Sequence, residues 1–220
     1  MVILAIETTS KIGALALTQD DIILDEVIIS SEYQHSSGMI RALNQLLMHT
    51  GISIPSIDVV AVSIGPGSFT GIRIGVAMGM GLSQGLGIPL IGIETMEAMI
   101  FAENYTHEKV CVLIDSGRSA FYAGLFSKEE SCYVRIKDYV SLAVEDISDY
   151  AGDNACFIAG NAEEVIRMTG ISERKIIIKK NTIPLAKNVA QLAYHKVLLK
   201  NKDVAAKPIY VQPFKKQNIK

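Results

Sequence analysis

Apolar residues gather in short blocks along the first hundred positions. The runs 2–7 and 13–17 are almost wholly apolar and flank Thr8-Thr9-Ser10-Lys11, which predicts a β-hairpin. Asp20-Asp21 makes the next turn, and 22–29 reads as a third strand. Ser36 or Ser37 can cap a helix that carries Met39, Ile40, Leu43, Leu46 and Leu47 on one stripe and is closed by Gly51. A strand follows over 59–64, then a helix to about Gln84 and a strand over 88–93. Thr95 opens a third helix, which fades in the polar stretch 103–109. The order is β-β-β-α-β-α-β-α.

The second half repeats it. Runs 110–115 and 120–126 predict strands, 132–140 a third, and Ser141 the start of a short helix over Val144, Ile147 and Tyr150. A strand over 155–159, a helix through Met168, a strand over 176–178 and a helix from Pro184 complete the second copy. Glu7 and Asp115 hold matching places, each ending the first strand of its half. Two copies of one α/β order, each opening on a strand, an acid and a small-residue turn, resemble the two-lobed actin/Hsp70/sugar-kinase (ASKHA) fold. The expected lobes are 1–107 and 108–220.

Composition narrows the class. A chain of 220 residues, 49% hydrophobic and 20% charged, can bury a real core. A net charge of -2 leaves no electrostatic footprint for nucleic acid, so RNA contact would need a local patch or a partner. Cys111, Cys132 and Cys156 form no C-x-x-C pair, which suits a reducing cytosol. The first residues lack a basic leader and meet Glu7 too soon for a signal peptide. Positions 74–93 carry no charge and are long enough to span a bilayer, but six glycines, Gln84 and Pro89 interrupt them. The expectation is a soluble cytoplasmic protein with no membrane contact.

Candidate chemistry centres on Gly65-Pro66-Gly67-Ser68-Phe69-Thr70-Gly71, between a strand and a helix. A glycine turn at a helix N-terminus can hold an anion, and Arg73 lies one turn in. No Lys-Ser or Lys-Thr follows, so this is not a Walker loop, and Thr70 stands where a dinucleotide fingerprint needs glycine. Gly71, Gly75 and Gly79 recur every fourth residue on one helical face. Glycines inside a helix cost about 1 kcal/mol each relative to alanine, and close approach of another backbone accounts for all three. The face is therefore expected to be a docking surface, with the anion reading confined to 65–68. On that reading Gly75→Leu blocks docking and leaves the lone chain folded.

Glu7 and Asp115 read by default as solvated strand-end acids. Their alternative is a phosphate loop formed with Thr8 and Arg118; a surface ion pair is the default for the arginine. His35, His49, His107 and His195 supply no H-x-x-x-H or H-E-x-x-H, so no two share a helical face as metal ligands. Ser68 lacks the second glycine of a G-x-S-x-G nucleophile elbow.

The eleven residues from Gly65 to Gly75 resemble the signature of the TsaB (YeaZ) family. Further likeness lies in Ile3-Leu4-Ala5-Ile6-Glu7-Thr8, Ile91-Gly92-Ile93-Glu94-Thr95, Ile114-Asp115-Ser116-Gly117-Arg118 and Pro208-Ile209-Tyr210. It spans nearly the whole chain and is strongest over the first 125 residues. The resemblance implies the two-lobed fold and a role without independent catalysis or cofactor. Such proteins dock the catalytic subunit TsaD, and with it the ATPase TsaE. That assembly transfers a threonylcarbamoyl group to adenosine 37 of tRNAs reading ANN codons, so tRNA is met only through the complex. The catalytic relative holds metal through two histidines four apart near the end of its first lobe; here Glu94-Thr95-Met96-Glu97-Ala98-Met99 has none.

In the family, first-lobe helices of the two subunits bundle together, which implies an interface at Met39, Leu43, Leu46, Leu47, Phe69, Gly71, Ile72, Gly75, Met78 and Gly79. The same surface would serve a homodimer when the partner is absent. This chain departs from the family at Tyr210-Val211-Gln212, at Glu7 in place of Asp, and at Asp115-Ser116-Gly117 in place of Asp-Ala-Arg. These departures weaken the reading that this copy itself binds nucleotide. Two rival readings remain: a nucleotide-dependent transferase or kinase using Glu7, Asp115 and Arg118 in an interlobe cleft, and a glycoprotease-like metallopeptidase.

Overall fold

The computed structural model describes residues 1–29, 36–101, 106–117, 120–130, 132–152, 155–159, 176–177, 185–199 and 206–213. Strand β1 (Val2–Glu7) pairs antiparallel with β2 (Gly13–Gln19), and β2 with β3 (Ile22–Ile29). After α1 (Ser36–Thr50) the chain returns as β4 (Val59–Ser63), parallel to β1. Helix α2 (Phe69–Leu86) then crosses over to β5 (Leu90–Ile93), parallel to β4, and α3 (Thr95–Phe101) follows. The sheet order is β3-β2-β1-β4-β5. β1 and β4 are covered on both faces, which is why they read as continuous apolar runs rather than alternating ones.

Alternation within those strands sorts their side chains between two cores. Leu4, Ile6, Val60 and Val62 meet Met39, Leu43, Leu46, Ile72 and Val76 from α1 and α2 on one face. Ile3, Ala5, Val59 and Ala61 point to the other face. Each fully buried Leu, Ile or Val contributes about 2 kcal/mol relative to exposure. The uncharged length 74–93 is broken where α2 stops at Gly87, whose φ of +67° closes the helix in the left-handed conformation. Among the described residues no helix is long and apolar enough to cross a membrane.

The second face brings a departure from the expected boundary at 107/108. The helix Ala186–Leu198 lies against the first sheet, with Ala186, Val189, Ala190 and Ala193 packed on Ile3, Ala5 and Ile91. Polar stitches fix its register: Lys187 N donates to Glu26 Oε1 at 3.1 Å, Gln191 Nε2 to the Asp21 carbonyl at 3.4 Å, and Lys196 Nζ to Glu97 Oε2 at 2.5 Å. The chain accordingly divides into Met1–Ala102 with Pro184–Ile209, and Glu103–Ile183 with Tyr210–Lys220. Helical periodicity shows that a face is buried, but not which sheet buries it.

The second unit contains β6 (Lys109–Gly117), β7 (Ala120–Glu129), β8 (Cys132–Arg135), β9 (Val140–Ala143), α4 (Ile147–Ala151), β10 (Cys156–Ala159), β11 (Ile176–Ile177) and β12 (Gln212–Pro213). Its sheet runs β11-β10-β6-β7-β9-β12, with β8 also on β7. Read from β9 to β11, this repeats the path β3-β2-β1-β4-β5, so the duplicated order expected from the sequence is present. The helix Ala186–Leu198, α5, is the member of the second copy that belongs to the first unit.

One strand expected over 132–140 is two. β8 pairs with Phe126–Glu129 of β7 and β9 with Ala120–Ala123, successively along one edge. The break between them turns Lys137 and Asp138 toward α4: Lys137 Nζ donates to the Tyr150 carbonyl at 2.6 Å, and Tyr150 Oη donates to the Asp138 carbonyl at 2.9 Å. Ser141 lies in β9, and the helical turn begins later, at Val144. The helix expected through Met168 lies outside the described residues, as do Arg118 and positions 103–105 of the polar stretch 103–109.

Candidate functional site

β1 carries Glu7 to the same end of the first sheet that receives Ser63 from β4 and Thr95 after β5. Glu7 is 0% exposed. Its Oε1 accepts from the backbone N–H and the hydroxyl of Thr9, each at 2.5 Å, while the Ser63 hydroxyl donates to Oε2. The Thr95 hydroxyl donates to Thr9 Oγ1 at 3.2 Å, extending the chain of donors that ends on the carboxylate. Burial pushes the Glu7 carboxyl above its ordinary value; the hydrogen bonds from Ser63 and Thr9 pull the other way without cancelling it. The expectation of a solvated acid is thus corrected. Both oxygens are used inside the protein, and the short Thr and Ser side chains around them supply the donors a buried carboxylate requires.

The β1–β2 turn also lies across the start of α2. Ser68 caps the helix by accepting from Gly71 N at 3.2 Å, and its own N–H donates to the Thr9 carbonyl at 2.7 Å. Thr8 Oγ1 donates to the Gly71 carbonyl at 2.7 Å. A Cβ at Gly71 would sit on the Thr8 carbonyl, one at Gly67 on the Thr9 carbonyl, and one at Gly75 on the Thr8 hydroxyl. At Gly79 it would come within 2.9 Å of Leu90 Cδ1. The glycine face therefore seats this chain's own turn and sheet, and the expectation that it docks a partner is corrected. Gly75→Leu would displace Thr8 and damage the lone chain.

The anion reading of 65–68 meets the same obstacle, because the Thr9 carbonyl oxygen already holds Ser68 N–H. A second strap covers the turn from the C-terminal side: Ile209 N donates to the Ile64 carbonyl at 2.8 Å, and Thr95 N donates to the Gly65 carbonyl at 2.8 Å. Gly65, at φ +106°, leaves no room for a Cβ, which would stand 2.9 Å from the Ile209 carbonyl. Pro208-Ile209 in the sequence thus acts as a clamp on the glycine turn.

Of the ten residues expected at a partner interface, Met39, Leu43, Leu46, Gly71, Ile72, Gly75 and Gly79 are buried in their own core. Leu47 and Met78 are half-buried, and Phe69 is 51% exposed. The outer faces of α1 and α2 add Ile40, Met48 at 82% exposure and Met80 to Phe69, the one exposed member of the expected set. Ala77, Gly81 and Gly85 form a second small-residue row on α2, exposed, and a Cβ at either glycine would meet nothing within 4 Å among the described residues. The Arg73 guanidinium stands 3.9 Å over the Phe69 ring on this outer side. The signal was legible: Thr70, Arg73 and Gln84 share a helical face with 77 and 81, which marks that row as the outer one.

In the second unit Asp115 is exposed, and its Oδ1 accepts from Gly117 N at 2.7 Å. A register shift between Asp115 and Gly117, with Gly117 at φ +79°, shapes the turn. Of the phosphate-loop candidates, Glu7 and Thr8 are committed internally, Asp115 is at the surface, and Arg118 lies outside the described residues.

Comparison with known proteins agrees with this architecture. The family model described as TsaD: tRNA N6-adenosine threonylcarbamoyltransferase matches residues 23–206. The tRNA threonylcarbamoyladenosine biosynthesis protein TsaB of Bacillus subtilis is 29% identical over 126 residues, 57% of this chain and 55% of that protein. TsaB of Escherichia coli is 33% identical over 99 residues, 45% of this chain and 42% of that protein. The chain thus spans about half the length of these two relatives. Among solved structures, YeaZ from Pseudomonas aeruginosa superposes with a TM-score of 0.78 at 20% identity, covering 96% of this chain and 99% of that one. The activator of the 2-hydroxyisocaproyl-CoA dehydratase from Clostridium difficile, solved with bound ADPNP, gives 0.52 at 11% identity over 96% of this chain and 100% of that one. Both share the actin/Hsp70/sugar-kinase fold seen here. With the family model taking in most of its length, the chain belongs to the tRNA N6-adenosine threonylcarbamoyltransferase (TsaD) family, and within it to the TsaB (YeaZ) group.

Proposed function

We propose that this chain works in threonylcarbamoyladenosine (t6A) biosynthesis as a non-catalytic scaffold. It would dock the TsaD-type catalytic subunit, and with it the ATPase TsaE, in the assembly that modifies adenosine 37 of tRNAs reading ANN codons. The pathway assignment is supported by the names of its relatives. The observation that carries the non-catalytic reading is the use made of Glu7. The acid that ends β1 is fully enclosed by Thr9 and Ser63, and the start of α2 is closed by the Thr8 and Thr9 carbonyls. A lobe using this end for phosphate chemistry needs an open acid and free N–H groups; here both are occupied by packing.

Docking falls to the outer faces of α1 and α2, not to the glycine row. Gly75 and Gly79 have their cost explained by the sheet beneath them. Gly81 and Gly85 each cost the helix about 1 kcal/mol, and no contact among the described residues needs a glycine there. Exposed Ile40 and Met48 on α1, and Phe69 and Met80 on α2, suit a second pair of helices. A second copy would meet this face only weakly, and only in the partner's absence.

The test is reconstitution. Purified chain, its own TsaD-type subunit and TsaE are combined with tRNA and the threonylcarbamoyl adenylate, and t6A is measured by mass spectrometry of digested tRNA. The chain alone is expected to form none and to raise the rate of the other two subunits at least tenfold. Modification by the chain alone would overturn the scaffold reading, and an unchanged rate would overturn its place in the assembly.

A further inference from the structure

We infer that Arg73 is the charged anchor of the outer α1/α2 face and that it pairs with a carboxylate of the TsaD-type subunit inside an otherwise apolar contact; this rests on the docking reading above. Positions 36–50 and 59–93 contain no Asp or Glu, although the whole chain has 23 acids. Their only cationic or titratable basic residues are Arg41, His49 and Arg73, and His49 Nδ1 lies 3.3 Å from Asp25 Oδ2. On α2 the single charge is Arg73, which is exposed.

That arginine is arranged for recognition. Its guanidinium lies 3.9 Å over Phe69, four residues back on the same face, and no hydrogen-bond acceptor among the described residues holds it. Stacking covers one face of the planar cation and leaves its N–H fork at the rim, so little rotamer freedom is lost when two parallel hydrogen bonds form. Ala77 lies one turn on and Met80 two turns on, both exposed, so a partner seated here excludes water from around the cation. A cation so enclosed is strongly disfavoured without a counter-charge and strongly held with one. The occupant must therefore bring both an apolar surface and an acid.

Charge complementarity chooses among occupants. A second copy of this face offers Arg41 and Arg73 and no carboxylate from either helix, so a symmetric dimer through it sets like charges together. A phosphate backbone finds two separate arginines among Met, Ile and Phe, not a basic stripe. A helix pair of the related subunit, apolar with an acidic residue opposite Arg73, satisfies both requirements.

The experiment measures the dissociation constant of the purified chain with its own TsaD-type subunit by calorimetry, for Arg73→Ala, Arg73→Lys, Arg73→Glu and Ala77→Trp. Melting temperatures close to wild type are expected for the Arg73 variants, because the side chain is exposed. Arg73→Ala should weaken binding at least tenfold and Arg73→Glu should abolish it at micromolar concentration. Arg73→Lys should recover only part, since it keeps the charge but loses the fork and the stack. Ala77→Trp should block docking by bulk. If Ala77→Trp blocks the complex while Arg73→Glu binds within twofold of wild type, the carboxylate pairing is overturned and the docking face stands. Undiminished binding by both would overturn the docking face itself. Loss of bulk-tRNA binding by Arg73→Ala, with the protein complex unaffected, would replace the carboxylate by a phosphate.

Discussion

The β1–β2 and β6–β7 turns sit at equivalent places in two sheets of the same strand order, and each follows an acid that ends its sheet's first strand. Glu7 is wholly buried with both oxygens accepting hydrogen bonds, and its turn supplies the Thr8 and Thr9 carbonyls that close the start of α2. Asp115 is exposed, and its Oδ1 folds back onto a backbone N–H two residues on. One methylene separates the two side chains, and the extra length lets Glu7 reach Ser63 on the neighbouring strand. The first turn is built into the core of its unit; the second stays at the surface. Duplication of a fold does not oblige both copies to keep the same use for the same position.

The sharpest way to break this comparison is at the glycines. Gly71→Ala places a methyl group on the Thr8 carbonyl, a backbone atom that cannot swing aside. It should lower unfolding free energy by more than about 3 kcal/mol. The counterpart Gly117→Ala meets nothing within 4 Å among the described residues and is strained by its φ of +79°, so about 1 kcal/mol is expected. Urea unfolding followed by circular dichroism measures both. Equal losses would show that the first turn is no more tightly built than the second.

Next comes the acid itself. Glu7→Ala leaves the Thr9 and Ser63 donors without an acceptor in a dry site and should cost about 2–3 kcal/mol. Glu7→Gln keeps an acceptor oxygen and offers Ser63 an N–H, and should cost less. The pH dependence of that pair sharpens the point. Burial raises the folded-state value of Glu7, so the folded protein takes up this proton more readily than the unfolded chain. The associated stability is fully present below the ordinary carboxylate range and is lost as pH rises through the raised value. Wild type should therefore lose stability relative to Glu7→Gln between acid and neutral pH. A difference that does not change with pH would mean that the hydrogen bonds fully offset the burial.

Much of this was legible in the sequence because periodicity writes itself into composition. Both hairpins, the crossover order and the acid ending each first strand follow from apolar runs and turn residues. Partners distant along the chain were not legible. Nothing periodic links Glu7 to Ser63, 56 residues later, or Thr8 to Gly71, so the carboxylate read as solvated and the glycine row as unfilled. Helix Ala186–Leu198 showed its buried face clearly, yet only the contacts to Ile3, Ala5 and Ile91 reveal whose face it meets. On α2 two small-residue rows competed. The polar residues that share a side with Ala77 and Gly81 were the signal that the other row points inward.

The smallest expected effect is at Asp115, and its smallness is what makes it useful. Its carboxylate is exposed and its Oδ1 accepts from Gly117 N–H, an interaction worth about 1 kcal/mol or less in water. Asp115→Asn keeps that acceptor and should leave the unfolding midpoint unchanged within error; Asp115→Ala should shift it only slightly. With the unfolding midpoint unchanged, a change in t6A formation by reconstituted complexes carrying Asp115→Asn would report on function directly. The same substitution logic fails at Glu7, where any loss of activity is entangled with the packing of α2. A large stability loss from Asp115→Asn would show that the second turn, like the first, had been absorbed into its core.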